Sequence, residues 1–201
     1  MADTTQRVRN PWGQGERLRL EILAAAARLL SELDGEQGLT IRGVARAVGI
    51  APASIYQHFA DKAALVKGLI EYDYELLSAA MAEADASCPE DAVLDRVRAQ
   101  IRAYCQFALD SPGHYRLMIN NRPVTMPRSG PLVGIVHEVI MAFERCERAG
   151  VRLRVSARKA AITVFVAAHG RVALSHASER EPGQTEAVLD FADEMVWLVT
   201  E

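Results

Sequence analysis

The chain is predicted to be all-α, with about nine helices: an N-terminal three-helix helix-turn-helix unit and then a larger helical domain. Three observations predict this. Apolar residues recur at helical spacing in stretch after stretch, and no segment of useful length alternates with the period of a strand. Glycine and proline fall between those stretches. Residues 39–65, LTIRGVARAVGIAPASIYQHFADKAAL, describe two short helices split by a tight glycine turn and the start of a third.

The elements follow in order. Residues 1–15 hold Asn10-Pro11 and Gly13-Gln14-Gly15 and read as a flexible arm, with Trp12 placed to tether it. A helix over 16–33 buries Leu18, Ile22, Ala25, Ala26, Leu29 and Leu33, and 34–38 is a polar break. In the helix over 41–48, Ile41, Val44, Ala45 and Val48 share one face. Gly49 ends it, because glycine takes left-handed backbone angles without a Cβ clash. Pro52 opens the next, over 52–59, where a missing N–H costs nothing. That helix buries Ile55 and Phe59 and turns Ala53, Ser54, Tyr56, Gln57 and His58 elsewhere. Such a weakly charged rod fits the major groove of DNA. Asp61 caps a long helix over 61–84. Further helices are expected over 90–109, 112–119, 131–148, 155–178 and 184–199, with a proline-containing loop (Pro123, Pro127, Pro131) over 120–131.

Composition narrows the classes. The chain has 201 residues, half of them hydrophobic and 24% charged, as expected of a globular protein. The longest stretch that is apolar but for one uncharged residue, 160–168 with Thr163 inside it, falls short of the roughly 20 residues a spanning helix needs, and the N-terminus shows no secretory signal. A cytoplasmic protein is expected. Cys88, Cys105 and Cys146 are odd in number and scattered, which suggests reduced thiols and no metal site. The net charge of −3 counts a little against a nucleic-acid binder, but its placement matters more. Arg7, Arg9, Arg17 and Arg19 cluster at the start, and Arg42, Arg46 and Lys62 flank the two short helices.

The stretch LTIRGVARAVGIAPASIYQHFADKAALV, with its glycine turn, Ile-Tyr-x-His-Phe core and following Asp-Lys-x-x-Leu, resembles the TetR family of bacterial transcriptional repressors. The resemblance covers 16–66 by motif and the remainder by pattern. It implies a DNA-binding domain over 16–62 and a helical ligand-binding and dimerisation domain over 63–201. It also implies a homodimer on a near-palindromic double-stranded operator, released by a small-molecule effector. The segment from Pro112 to Met118, with Ala168-His169-Gly170, resembles a subgroup with a Trp-His-Gly signature, alanine standing at the tryptophan position.

By that resemblance Thr40, Arg42, Tyr56, His58 and Lys62 match positions that touch phosphates. Phosphate contacts set affinity and register, whereas base edges set sequence. Ala51, Ala53, Ser54 and Gln57, beside Pro52, are the candidate base readers. An alanine can meet a thymine methyl and Gln57 can pair with adenine. Arg42 is the candidate guanine reader, Arg46 a further phosphate ligand, and Arg7 and Arg9 can reach the minor groove. Ala51 has no oxygen with which to cap a helix, so Ile50 packing on Ile55 is expected to fix the entry.

In the larger domain Tyr104, Phe107, Met118, His137, Ile140, Phe165 and His169 are the candidate effector residues. Tyr104 and Phe107 are three apart and can share one side of a helix. His137 and His169 stand in apolar helices, where a satisfied core histidine is the plainer reading. The apolar lining favours a hydrophobic or amphipathic effector. The last two helices offer Ala161, Phe165, Ala168 and Val172, with Val188, Phe191 and Met195, as a dimer contact of four helices. No nucleotide loop, metalloprotease helix or nucleophile elbow is present, and His114, His137, His169 and His176 lack metal spacing, so no enzyme, cofactor or metal is expected. An all-helical interaction module or an activator with the same fold is the alternative.

Overall fold

The computed structural model describes residues 14–32, 38–120, 131–178 and 181–201. Among these are nine helices: α1 (Gln14–Glu32), α2 (Ile41–Val48), α3 (Pro52–Ile55), α4 (Lys62–Ala86), α5 (Val93–Asp110), α6 (Pro112–Asn120), α7 (Pro131–Arg148), α8 (Ala157–Ala177) and α9 (Gln184–Leu198). The one β pairing among the described residues is an isolated bridge between Leu153 and Thr200. The all-α prediction therefore stands. Arg7, Arg9, Trp12, Leu33, Pro123 and Pro127 lie outside the described residues.

The chain divides into two compact units, Met1–Leu69 and Ile70–Glu201. The division falls later than the 62/63 boundary read from the sequence. The first turns of α4 belong with the smaller unit: Leu65 and Leu69 are fully buried, and Gly68 lies against Phe59 and Leu23.

The smaller unit is built on Ile22, Leu23, Ala26 and Leu30 of α1, Val44 and Ala45 of α2, and Ile55 and Phe59. Two helix starts are set by a side-chain cap. Thr40 Oγ1 accepts from Gly43 N at 3.0 Å, and Asp61 Oδ1 from Ala64 N at 2.7 Å. Gly49 closes α2 at φ +79°, while Ile50 N–H reaches Ala45 O at 3.0 Å and Gly49 N–H reaches Arg46 O at 3.2 Å. Those two bonds close the last turn of α2 only if residue 49 is left-handed. Gly49→Ala is expected to cost about 1–2 kcal/mol, read as a lower urea midpoint at unchanged slope.

The second short helix is shorter than the 52–59 expected. Regular α geometry ends at Ile55, and Gln57 N–H and His58 N–H bond three residues back, to Ser54 O and Ile55 O. This tighter winding continues the rod through residues 56–58.

In the larger unit α5 packs on α7, α8 and α9, α7 on α8, and α8 on α9. Phe143, Ile101, Leu77 and Met81 are among its fully buried side chains. By length and composition α8 could cross a membrane, contrary to the expectation from run length, but Ala160, Ala161, Val164, Ala168 and Val172 are core residues of this unit. Cys88, Cys105 and Cys146 are free thiols. Burial pushes the Cys105 thiol up to about 12, so it stays protonated at neutral pH and is a poor nucleophile.

Polar tethers hold α4 to its neighbours in this unit. Asp85 accepts from Arg96 and Gln100 of α5 and from Arg145 of α7, the Gln100 bond at 2.7 Å. The Ser78 hydroxyl donates to Glu138 of α7 at 2.6 Å. Asp73, wholly buried, lies 2.8 Å from His114 Nδ1 on α6. Burial pushes the Asp73 carboxyl above its ordinary range, and the His114 imidazole offsets this only in part.

Candidate nucleic-acid interface and effector crevice

The outward face of the smaller unit is built from one tight segment. Ile55 and Phe59 are buried, only 0% and 3% exposed, with Arg19 holding its guanidinium 5.3 Å from the Phe59 ring centroid. These anchors leave Ala51, Pro52, Ala53, Tyr56 and Gln57 exposed and Ser54 and His58 half-buried. Tyr56 is 54% exposed, which fits a ring partly against protein and a hydroxyl facing out. Arg42 and Arg46 on α2 are exposed, and Lys62 at the start of α4 is half-buried. Thr40 is exposed while its oxygen caps α2, so its hydroxyl hydrogen can still point outward. Ala51 begins α3 with no side-chain cap, and Ile50 is half-buried. The arrangement can place a narrow, small-residue edge into a groove with a phenol and cations on its flanks.

The larger unit encloses a crevice lined by Tyr74 and Leu77 of α4, Tyr104, Phe107 and Ala108 of α5, Tyr115 and Met118 of α6, Leu132 of α7 and His169 of α8. The space left among them is about 10 Å³. That is room for a single water at most. Tyr104 Oη lies 2.6 Å from His169 Nδ1, and Tyr115 Oη lies 3.5 Å from the same nitrogen. The Phe165 ring stacks on His169 at 6.1 Å and meets Tyr104 at 5.0 Å. His176 Nε2 donates to Ala108 O at 3.0 Å, and its ring lies 4.8 Å from Tyr115.

Of the candidate effector residues, Tyr104, Phe107, Met118 and His169 line this crevice, and Phe165 supports it from behind. Ile140 is buried but does not line it. His137, expected inside an apolar helix, is exposed on α7. Apolar neighbours in sequence do not fix which side of α7 faces the core. Sequence reasoning missed Tyr74, Leu77, Ala108, Tyr115 and Leu132 as lining residues. The pairing of His114 with Tyr115 just after Pro112 was the available signal for Tyr115.

Five of the seven expected dimer residues lie inside the protomer. Ala161, Ala168, Val172 and Val188 have no exposed surface, and Phe165 has 5%, because they build the core of their own protomer. Phe191 and Met195 are half-buried. The apolar surface lies on the opposite side of α8, at Ile162, Val166 (61% exposed) and Leu174 (64%), and on α9 at Trp197 and Leu198. Ile162, Val166, Gly170 and Leu174 recur every fourth residue and form one ridge. A Cβ at Gly170 would meet nothing within 4 Å. Beside the ridge, a groove of about 700 Å³ between α8 and α9 is lined by Ala187, Phe191, Arg171, Asp190 and Glu194 as well.

Comparison with known proteins bears on both units. Residues 22–69 match the family described as bacterial regulatory proteins, tetR family. Residues 97–196 match the tetracyclin repressor-like C-terminal domain. Nucleoid occlusion factor SlmA of Vibrio vulnificus strain YJ016 is 35% identical over 101 residues, 50% of each chain. The chain thus spans about half the length of the curated relatives it matches. Among solved structures, a Rhodococcus sp. RHA1 protein of unknown function superposes with a TM-score of 0.74 at 26% identity, over 96% of this chain and 100% of that one. A TetR-family transcriptional regulator of Pectobacterium atrosepticum superposes at 0.71 with 16% identity, over 94% and 95%, a likeness of fold.

Proposed function

We propose, from the premise that the chain belongs to the tetR family of bacterial regulatory proteins, that it is a ligand-responsive repressor. It is a DNA-binding transcriptional regulator and not an enzyme. The reading extends this to a cytoplasmic homodimer that holds a near-palindromic operator and lets go when a small apolar effector enters the larger unit. The observation that carries it is the outward row Ala51, Ala53, Tyr56 and Gln57, set by Ile55 and Phe59 buried in the same turns.

On this reading the hydroxyls of Thr40 and Tyr56, with Arg42, His58 and Lys62, grip phosphates. Ala51, Ala53, Ser54 and Gln57 face base edges, with Pro52 holding the entry. Tyr56→Ala is expected to weaken binding about tenfold on every sequence, the loss of one good contact. Gln57→Ala is expected to relax preference at one base pair, a discrimination of about 1–3 kcal/mol. Fluorescence anisotropy on duplexes selected from a random pool measures both. Unchanged affinity in both variants would remove this face from the DNA contact. A linear fall of log affinity with log salt is expected as well.

The second copy is seated on the ridge of Ile162, Val166, Gly170 and Leu174, with Trp197, Leu198, Phe191 and Met195 from α9. Gly170 lets the partner backbone approach closely, and exposed apolar surface of this kind marks an interaction site. Release follows if the effector favours a geometry in which the two recognition segments no longer match successive grooves.

A further inference from the structure

We infer that the crevice between α4, α5, α6 and α8 takes a neutral aromatic compound carrying a single hydroxyl or carbonyl group, the head held by Tyr104, Tyr115 and His169. The inference rests on the effector reading above and names the chemistry of that effector.

The wall sets the body of the ligand. Tyr74, Tyr104, Phe107, Tyr115 and His169 present rings around it, with Met118 as the adaptable filler. Flat aromatic surface meets such a wall edge-on or offset. The charges set what is refused. Among the described lining residues there is no carboxylate, ammonium or guanidinium. A quaternary ammonium would be stripped of water there with no opposite charge to meet it, and a carboxylate would meet one only where His169 takes up a proton.

The polar end sets the head. Two hydroxyls and one imidazole nitrogen converge, Tyr104 Oη at 2.6 Å and Tyr115 Oη at 3.5 Å from His169 Nδ1. Both tyrosine rings lie against histidine rings, Tyr104 on His169 and Tyr115 on His176, so the head meets a preset constellation. A neutral oxygen can join this cluster as acceptor, donor or both. A hydrocarbon offers it nothing, and the cluster loses bonds when one intrudes. With about 10 Å³ of space, the ring enters by displacing wall residues. Phe107, Leu132 and His169 are the half-buried part of that wall, and Phe107 and Leu132 form the entry beside the histidine.

Four probes on one skeleton test this: naphthalene, 2-naphthol, 2-naphthoate and 2-naphthyltrimethylammonium. Binding is read from the rise in melting temperature and from calorimetry, and release from anisotropy of a bound, selected duplex. The expected order puts 2-naphthol at least about tenfold tighter than either charged probe and about fivefold tighter than naphthalene, the worth of one hydrogen bond. His169→Phe and Tyr104→Phe should bring 2-naphthol down to naphthalene while leaving naphthalene binding in place, which a merely unfolded variant would not do. A charged probe that binds tightest and releases DNA overturns the ligand class and leaves the effector reading standing. Equal binding of 2-naphthol and naphthalene to the wild type overturns the head assignment. No binding by any probe overturns the inference as a whole. Binding of 2-naphthol without release of DNA upholds the ligand class and removes the effector reading.

Discussion

Val166→Glu combined with Leu174→Glu is expected to turn the protein into a monomer and to lower operator affinity on the order of 100-fold or more. Both side chains are more than half exposed on α8, so the substitutions cost the protomer little. In the pair, four glutamates would face one another across a twofold contact, and the groove there already sets Asp190 and Glu194 against the single guanidinium of Arg171 from each copy, so the added carboxylates lose water with too little positive charge to meet them. The affinity loss comes from geometry. Two half-sites held by one rigid pair act at a high effective concentration, and separation forfeits a factor of about 10²–10⁴. Sedimentation velocity gives the oligomeric state, and anisotropy on the selected duplex gives the affinity. Ala161→Glu is the contrasting variant. Ala161 has no exposed surface, so that variant should fail to fold instead of folding as a monomer. Dimers that persist in the Val166/Leu174 double variant would move the contact elsewhere.

Asp85→Ala is expected to destabilise the larger unit by about 2–3 kcal/mol, somewhat below the value for a fully dry ion pair because water reaches part of the site. Asp85 side-chain exposure is 11%, against 16% for Arg96 and 30% for Arg145. Removing the carboxylate strands two guanidiniums and the Gln100 amide, and frees the end of α4 from α5 and α7. The pH dependence has a definite sign. Burial works to raise the Asp85 carboxyl, but hydrogen bonds and charge from Arg96 and Arg145 outweigh it and hold the carboxyl below the ordinary 3.8. The unfolded chain therefore takes up the proton first as pH falls. The stabilisation is complete above the ordinary carboxylate value and drains away below it. Urea titrations at pH 7 and near pH 3 should show the variant's full deficit at the first and one smaller by up to about 1 kcal/mol at the second. A deficit independent of pH would mean that the carboxylate acts by shape alone.

Most of the helical order was legible in the residues because each helix has a period and an end. Gly49, Pro52, Pro89, Pro112 and Pro131 stand at breaks, and Asp61 stands at a start. The recognition segment was harder. A run such as Ser54 to Phe59 gives the same apolar spacing whether its bonds reach back three residues or four, so the tightening after Ile55 left no trace. The exposed face of α8 was hidden for a different reason. Its apolar residues surround the whole helix, so periodicity could not distinguish Ala161 and Ala168, which build the core, from Val166 and Leu174, which meet solvent. The tethers of α4 were also out of reach. Asp85 and Arg145 are sixty residues apart, and nothing local marks either as the other's partner. The crevice was half legible: Tyr104, Phe107 and His169 stood out as large groups in apolar helices, while Tyr74 and Leu132 needed the packing to be seen.

A hydroxyl-radical footprint of the wild-type protein on a duplex selected from random sequence decides whether the recognition segments dock as a pair. Two protected patches related by twofold symmetry are expected, their centres one helical turn apart, about 34 Å, or a multiple of that spacing. Both patches should fade together in Tyr56→Ala. A duplex cleaved evenly along its length at low salt, or one protected patch without its mate, would mean that the protein does not grip DNA as a symmetric pair through this segment.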